Sequence, residues 1–133
     1  MSQPAPTARV LVLDDEASIT HICSRVVRNL GAHADTAGTL GEAATLIRSG
    51  AYDLFVCDMR LPDGFGLDLE TLFLQQNPCG QILVMTGSLT PDHPALENRA
   101  KEIVVLTKPF ELSDFRRAVA GLLAERSGGK QSE

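Results

Sequence analysis

The stretch Leu54–Gly66, LFVCDMRLPDGFG, decides the fold. Four apolar residues run without interruption into Asp58, and Pro62, Asp63 and Gly64 follow in a segment of turn formers. A strand buried on both faces of a parallel sheet reads as a continuous apolar run, whereas a half-exposed strand alternates. In open α/β sheets the ligand crevice lies beyond the carboxyl ends of the strands. Asp58 is therefore predicted where a buried strand ends and solvent begins, in position to act as a nucleophile.

Working outward, three similar runs end in chemically useful residues. Val10–Leu13 stops at Asp14, Asp15 and Glu16; Gln81–Met85 stops at Thr86 and Gly87; Ile103–Leu106 stops at Thr107, Lys108 and Pro109. His33–Ala37 supplies a fifth, shorter strand. Between the strands the apolar period changes from continuous to helical. Ile19, Ile22, Cys23, Val26, Val27 and Leu30 predict a helix from Ala17 to Leu30, stopped by Gly31. Thr39 and Glu42 have capping-box spacing for a helix carrying Leu40, Ala43, Ala44, Leu46 and Ile47, closed by Gly50. Leu67, Leu69, Leu72, Phe73 and Leu74 form a core-facing stripe that ends at Asn77 and Pro78. A short polar helix is predicted from about His93 to Ala100, and Leu112, Phe115, Val119, Leu122 and Leu123 mark an amphipathic last helix. Five strands alternating with five helices give an α/β domain with a parallel sheet and right-handed crossovers.

The 133 residues suffice for one core, predicted over residues 9–125, with a disordered arm at 1–8 and a flexible tail at 126–133. No apolar run approaches the roughly 20 residues that span a bilayer. The opening MSQPAPTAR lacks the apolar segment of a secretory signal, so a cytoplasmic location is expected. A net charge of −5 argues against direct nucleic-acid binding, which needs basic patches. Cys23, Cys57 and Cys79 have neither disulfide nor zinc spacing and read as reduced thiols, Cys57 as a small core residue. His21, His33 and His93 have no ligand spacing.

In a parallel sheet, Asp14, Asp15, Asp58, Thr86 and Lys108 all fall on one edge. Three carboxylates together repel, and a divalent cation relieves that repulsion. Oxygen ligands with room for water suit magnesium, or manganese in its place. A hydroxyl from Thr86 and an ammonium from Lys108 are donors for phosphate oxygens. The pattern points to an aspartyl phosphate formed on Asp58, since phosphoryl transfer asks a protein mainly for positioning and charge stabilisation. The bland readings are that Asp14 and Asp15 cap a helix and that Asp58 and Lys108 are a turn acid and a surface lysine. Coincidence of all five at strand ends favours the site.

VLVLDDE, LFVCDMRLPDGFG, ILVMTGS and VVLTKPF, in this order and at these separations, resemble the receiver domain of two-component response regulators over about Arg9 to Glu125. The resemblance implies a flavodoxin-like, doubly wound sheet of five parallel strands in the order 2-1-3-4-5. It implies Asp58 as phosphoacceptor and Asp15 with the backbone carbonyl of Arg60 as metal ligands. Asp14 would orient a metal-bound water, and Thr86 and Lys108 would contact phosphate. It further implies a cis peptide between Lys108 and Pro109. Arg60 and Ser88 fall where relatives adjust the loss of the phosphoryl group. The implied partners are a sensor histidine kinase or histidine phosphotransfer protein, and an output domain or downstream protein. Dimerisation through the fourth helix, fifth strand and fifth helix occurs in relatives. Two departures stand out: Val105 replaces an aromatic switch residue, and the fourth helix is polar and proline-rich at its start. Such a domain catalyses only its own modification.

Three other readings compete. A phosphorylation-independent interaction module keeps the fold but not the chemistry. A haloacid-dehalogenase-like phosphatase would need an aspartate two positions after Asp14, where Glu16 stands. A flavodoxin-like cofactor module would need a Ser/Thr/Gly-rich loop after the first strand, which is missing.

Overall fold

The computed structural model describes residues 7–87 and 103–128; the predicted helix from about His93 to Ala100, and Ser88, lie outside them. The elements are β1 (Arg9–Leu13), α1 (Ala17–Asn29), β2 (His33–Ala37), α2 (Leu40–Ser49), β3 (Leu54–Asp58), a hairpin of β4 (Arg60–Leu61) and β5 (Gly64–Phe65), a 3-10 turn (Gly66–Leu69), α3 (Glu70–Gln76), β6 (Gln81–Thr86), β7 (Val104–Thr107) and α4 (Leu112–Gly128). The five long strands form one sheet in the order β2-β1-β3-β6-β7. All four pairings are parallel, with Leu13 beside Cys57 and Asp58 beside Met85. This is the expected flavodoxin-like order once the hairpin is set aside.

Side-chain alternation divides the interior in two. Val10, Val12, Leu54, Val56, Leu83 and Met85 meet Cys23 and Val27 of α1 and Phe115 and Val119 of α4. Leu11, Leu13, Phe55, Cys57, Ile82 and Val84 meet Ala43 and Ile47 of α2 and Phe73 of α3. Every residue of β3 is buried, which is why the strand reads as a continuous run.

Several local expectations are refined. Glu42 N–H donates to Thr39 Oγ1 at 3.1 Å, as a capping box requires, but the Glu42 carboxylate accepts from Gly38 N at 2.7 Å, one residue earlier than the box predicts. The segment after Asp58, expected as a loop, is a tight hairpin turning at Pro62-Asp63. Gly64, with φ +143°, leaves no room for a Cβ, which would lie 2.8 Å from Leu40 Cδ1. Asp63, read as turn chemistry alone, also accepts from Leu40 N at 3.2 Å and so caps α2 from outside the helix. Ala8, assigned to the arm, is buried, and its carbonyl accepts from His33 N at 2.8 Å. At the other end α4 continues past residue 125 to Gly128. Ile22 and Leu112 belong to the apolar stripes of their helices, yet they are 38% and 43% exposed.

Candidate functional site

β1 and β3 are neighbours and end level with each other, so Asp14 and Asp58 emerge side by side. The carboxylate oxygens of Asp14, Asp15 and Asp58 lie within 4.8 Å of one another. Asp14 is buried, Asp58 nearly so, and Asp15 is exposed. The chain after Asp58 is pinned on both sides: Met59 N–H donates to Met85 O at 2.7 Å, and Met59 O accepts from Gly66 N at 3.0 Å. That return of the chain demands glycine. A Cβ on Gly66 would collide with the Asp58 carbonyl oxygen and come within 3.0 Å of the Cys57 side chain.

Lys108 reaches this group from the end of β7, through a cis peptide with Pro109 and a backbone hydrogen bond from its N–H to Thr86 O at 2.6 Å. Its ammonium lies 2.7 Å from Asp14 Oδ2, 3.4 Å from Asp58 Oδ2 and 3.9 Å from Glu16 Oε1. Asp14 Oδ1 accepts from Glu16 N at 2.9 Å, in the turn before α1; the N-cap residue Glu16 makes no side-chain capping bond, so the bland capping reading is not what the helix start shows. Burial, then the charge of Asp14, push the Asp58 carboxyl above the ordinary aspartate range despite Lys108. Burial alone would lower the Lys108 pKa, but its hydrogen bond to Asp14 and the charges of Asp14 and Asp58 raise it.

Three carboxylates face one ammonium here, leaving an excess of two negative charges. That surplus, on oxygen ligands of mixed exposure, fits a divalent cation. Thr86 is buried at the end of β6 and lines, with Asp58, Met59, Arg60 and Gly87, a cleft of about 270 Å³. All five residues that sequence places at strand ends thus converge on one edge. Val105 lies away from them, 38% exposed on the edge strand β7. Cys57 is fully buried, and burial raises its thiol pKa strongly.

Two features were not legible from sequence. Arg60 Cζ stands 5.2 Å from the centre of the Phe65 ring, its cross-strand partner in the hairpin. Alongside the site, Ile19, Ile22, Phe110 and Leu112 border an apolar groove of about 430 Å³ that reaches Glu16 and Lys108.

A model of the response regulator receiver domain matches residues 10–120. The chain belongs to the response regulator receiver family. Among curated relatives, this receiver is 34% identical over 121 residues to the response regulator protein PilR of Pseudomonas aeruginosa, covering 90% of this chain and 27% of that protein. It is 27% identical over 130 residues to the transcriptional regulatory protein PmrA of Pectobacterium parmentieri, covering 94% of this chain and 56% of that one. The receiver therefore spans only part of the length of the relatives it matches. Among solved structures, the beryllofluoride-activated NtrC4 receiver domain dimer superposes with a TM-score of 0.75 at 35% identity, covering 90% of this chain and 98% of that one. A CheY-like receiver domain protein from Methanospirillum hungatei gives 0.81 at 22% identity over 91% and 97% of the two chains, a likeness of fold.

Proposed function

We propose that this receiver, residues 9–125, is a phosphorylation switch in which Asp58 is the phosphoacceptor. The observation that carries the reading is the convergence of Asp58, Asp14 and Asp15 within 4.8 Å, with the Lys108 ammonium between two of them. An Asp58 carboxylate oxygen attacks phosphorus, and the bond from phosphorus to the donor breaks with its electron pair going to the donor. Lys108 and the Thr86 hydroxyl hold the phosphoryl oxygens. Asp15, Asp58 and the Arg60 carbonyl would hold magnesium or manganese, with Asp14 orienting a bound water; the metal supplies charge neutralisation on the transferring group. Water later attacks phosphorus and releases the Asp58 carboxylate. The domain turns over its own modification and no metabolite.

The donor we assign is a sensor histidine kinase or histidine phosphotransfer protein in the cytoplasm. The groove beside the site supports this, since a protein that presents a phosphohistidine to Asp58 must lie against its rim. Among the described residues no helix is long and apolar enough to cross a membrane. An output domain or a downstream protein reads the modified state, and the part-length match to regulators supports such an arrangement. Exposed Val104 and Val105 on β7, the last strand of the sheet among the described residues, favour a second copy as a further partner.

The test is intact-mass spectrometry after incubation with acetyl phosphate, with and without magnesium, on wild type and Asp58→Asn. A magnesium-dependent, base-labile gain of one phosphoryl group that vanishes in the variant supports the switch. No gain with the fold intact overturns it and favours a phosphorylation-independent interaction module.

A further inference from the structure

Among the described residues, two cations stand near the cleft that contains Asp58, and they are committed differently. Lys108 is engaged by Asp14, Asp58 and Glu16. Arg60 lines the same cleft, yet among the described residues no carboxylate lies within ion-pair distance of it. Its guanidinium instead lies over Phe65, at a distance within which a ring face attracts a cation. The ring is well supported: Phe65 is half-buried against the core cluster that includes Leu61, Leu67 and Phe73, and its backbone N–H donates to Asp68 Oδ2 at 3.0 Å.

Resting on the Asp58 reading above, we propose that Phe65 is a positioning residue for the phosphoryl site: its ring seats the Arg60 guanidinium in the resting protein and yields it to the phosphoryl oxygens once Asp58 is modified. The physical argument is a competition. In the resting state Lys108 is shared between Asp14 and Asp58, and the Arg60 guanidinium lies over the ring face rather than against an acid. Phosphorylation consumes the carboxylate's single charge and puts roughly one and a half to two on the phosphoryl group, a net gain of at most about one, spread over three strong acceptor oxygens. Lys108, held at 2.7 Å by Asp14, cannot satisfy all of them. Arginine's planar fork suits the oxygens left over. Because the ring competes with the phosphoryl group for one guanidinium, removing the ring's quadrupole should strengthen binding of a phosphoryl mimic, and only while Arg60 is present.

The full chain, labelled with nitrogen-15, tests this with beryllofluoride and magnesium. In the resting protein the Arg60 Nε–H proton is expected upfield, shifted by the ring beneath it, and should return to the ordinary arginine position on loading. Phe65→Leu keeps an apolar side chain against the core. It should abolish the resting shift and raise beryllofluoride affinity by about two- to fivefold, the range a solvent-exposed cation–ring contact spans. In an Arg60→Met background, Phe65→Leu should leave that affinity unchanged. An Arg60 signal that stays upfield in the loaded protein overturns the proposal. So does an equal effect of Phe65→Leu with and without the guanidinium, which would mark a structural role alone. If wild type takes up no beryllofluoride, the Asp58 reading itself falls and the proposal with it; normal loading with an immobile Arg60 signal overturns the proposal alone.

Discussion

Lys108 is closer to Asp14 than to Asp58, 2.7 Å against 3.4 Å. The ammonium therefore occupies the same carboxylates that a divalent cation would use. Replacing it by an apolar side chain of similar length removes a competitor and raises the negative excess from two charges to three. Lys108→Met should bind magnesium on the order of tenfold more tightly, about 1.4 kcal/mol, by titration calorimetry, while losing phosphoryl uptake from acetyl phosphate. Unchanged or weaker magnesium binding would contradict the site as drawn.

Asp58 is held in a setting that disfavours its charge. A carboxyl whose folded pKa lies above the unfolded value makes the fold less stable as pH rises through that interval, and the deficit persists above it. Asp58→Asn should therefore stabilise the metal-free protein at pH 7 by on the order of 1 kcal/mol, a few degrees in Tm. The gain should vanish near pH 3, where wild-type Asp58 is protonated. Thermal melts at both pH values, without metal, decide it.

At the opposite end of the sheet, the Tyr52 hydroxyl donates to Asp35 Oδ2 at 2.6 Å, and Arg9 and His33 approach the same carboxylate at 3.3 and 3.2 Å. Burial, then the Asp35 hydrogen bond, push Tyr52 up to about 12. Burial would raise Asp35, but the Tyr52 hydroxyl, His33 and Arg9 together lower it. The tyrosine contribution to stability is present below pH 10.0 and is lost as pH climbs toward 12. The aspartate contribution is present above 3.8 and is lost as pH falls below it. Tyr52→Phe should cost about 1–2 kcal/mol in urea unfolding at pH 7 and should flatten the alkaline limb of the pH–stability curve.

Gly66 sits against the carbonyl of the residue it helps to place. Gly66→Ala should destabilise the fold by about 1–3 kcal/mol, since relief requires moving either the hairpin or the end of β3. Whatever folded protein remains should take up phosphoryl groups more slowly, because β3 carries Asp58. A variant with wild-type stability would show that the two segments are not in contact there.

The groove beside the site gives a prediction that separates donors. Ile22→Ser removes apolar surface from the groove, where Ile22 is 38% exposed. Transfer from a phosphohistidine-bearing protein should slow by on the order of tenfold, while uptake from acetyl phosphate stays within about twofold. Equal slowing from both donors would remove the groove from the partner interface.

The fold was legible because burial of β1, β3 and β6 on both faces forces runs such as LFVC and ILVM, and a run that ends in a charged or polar residue marks the sheet's working edge. The placement of the site was legible for the same reason: Asp58 and Thr86 end β3 and β6, and Asp14 and Lys108 directly follow β1 and β7. What escaped the sequence depends on contacts across short range but between elements. The Arg60–Phe65 pairing requires knowing that Pro62-Asp63 closes a two-residue hairpin, and a Pro-Asp-Gly string serves open loops equally well. The shift of Glu42 from Thr39 to Gly38 turns on one rotamer. Exposure of Ile22 and Leu112 escaped because helical spacing gives a stripe its direction but not its width.

The hydrogen bond from Leu40 N–H to Asp63 joins the first turn of α2 to the loop that continues from the strand carrying Asp58. One short side chain spans that gap, and it has no slack. A displacement of the hairpin tip by more than an ångström or so breaks the bond and leaves an amide at the helix start to water. The loop and the helix thus behave as a latch: a shift of the hairpin that follows Asp58 registers as fraying at the first turn of α2, on the neighbouring element.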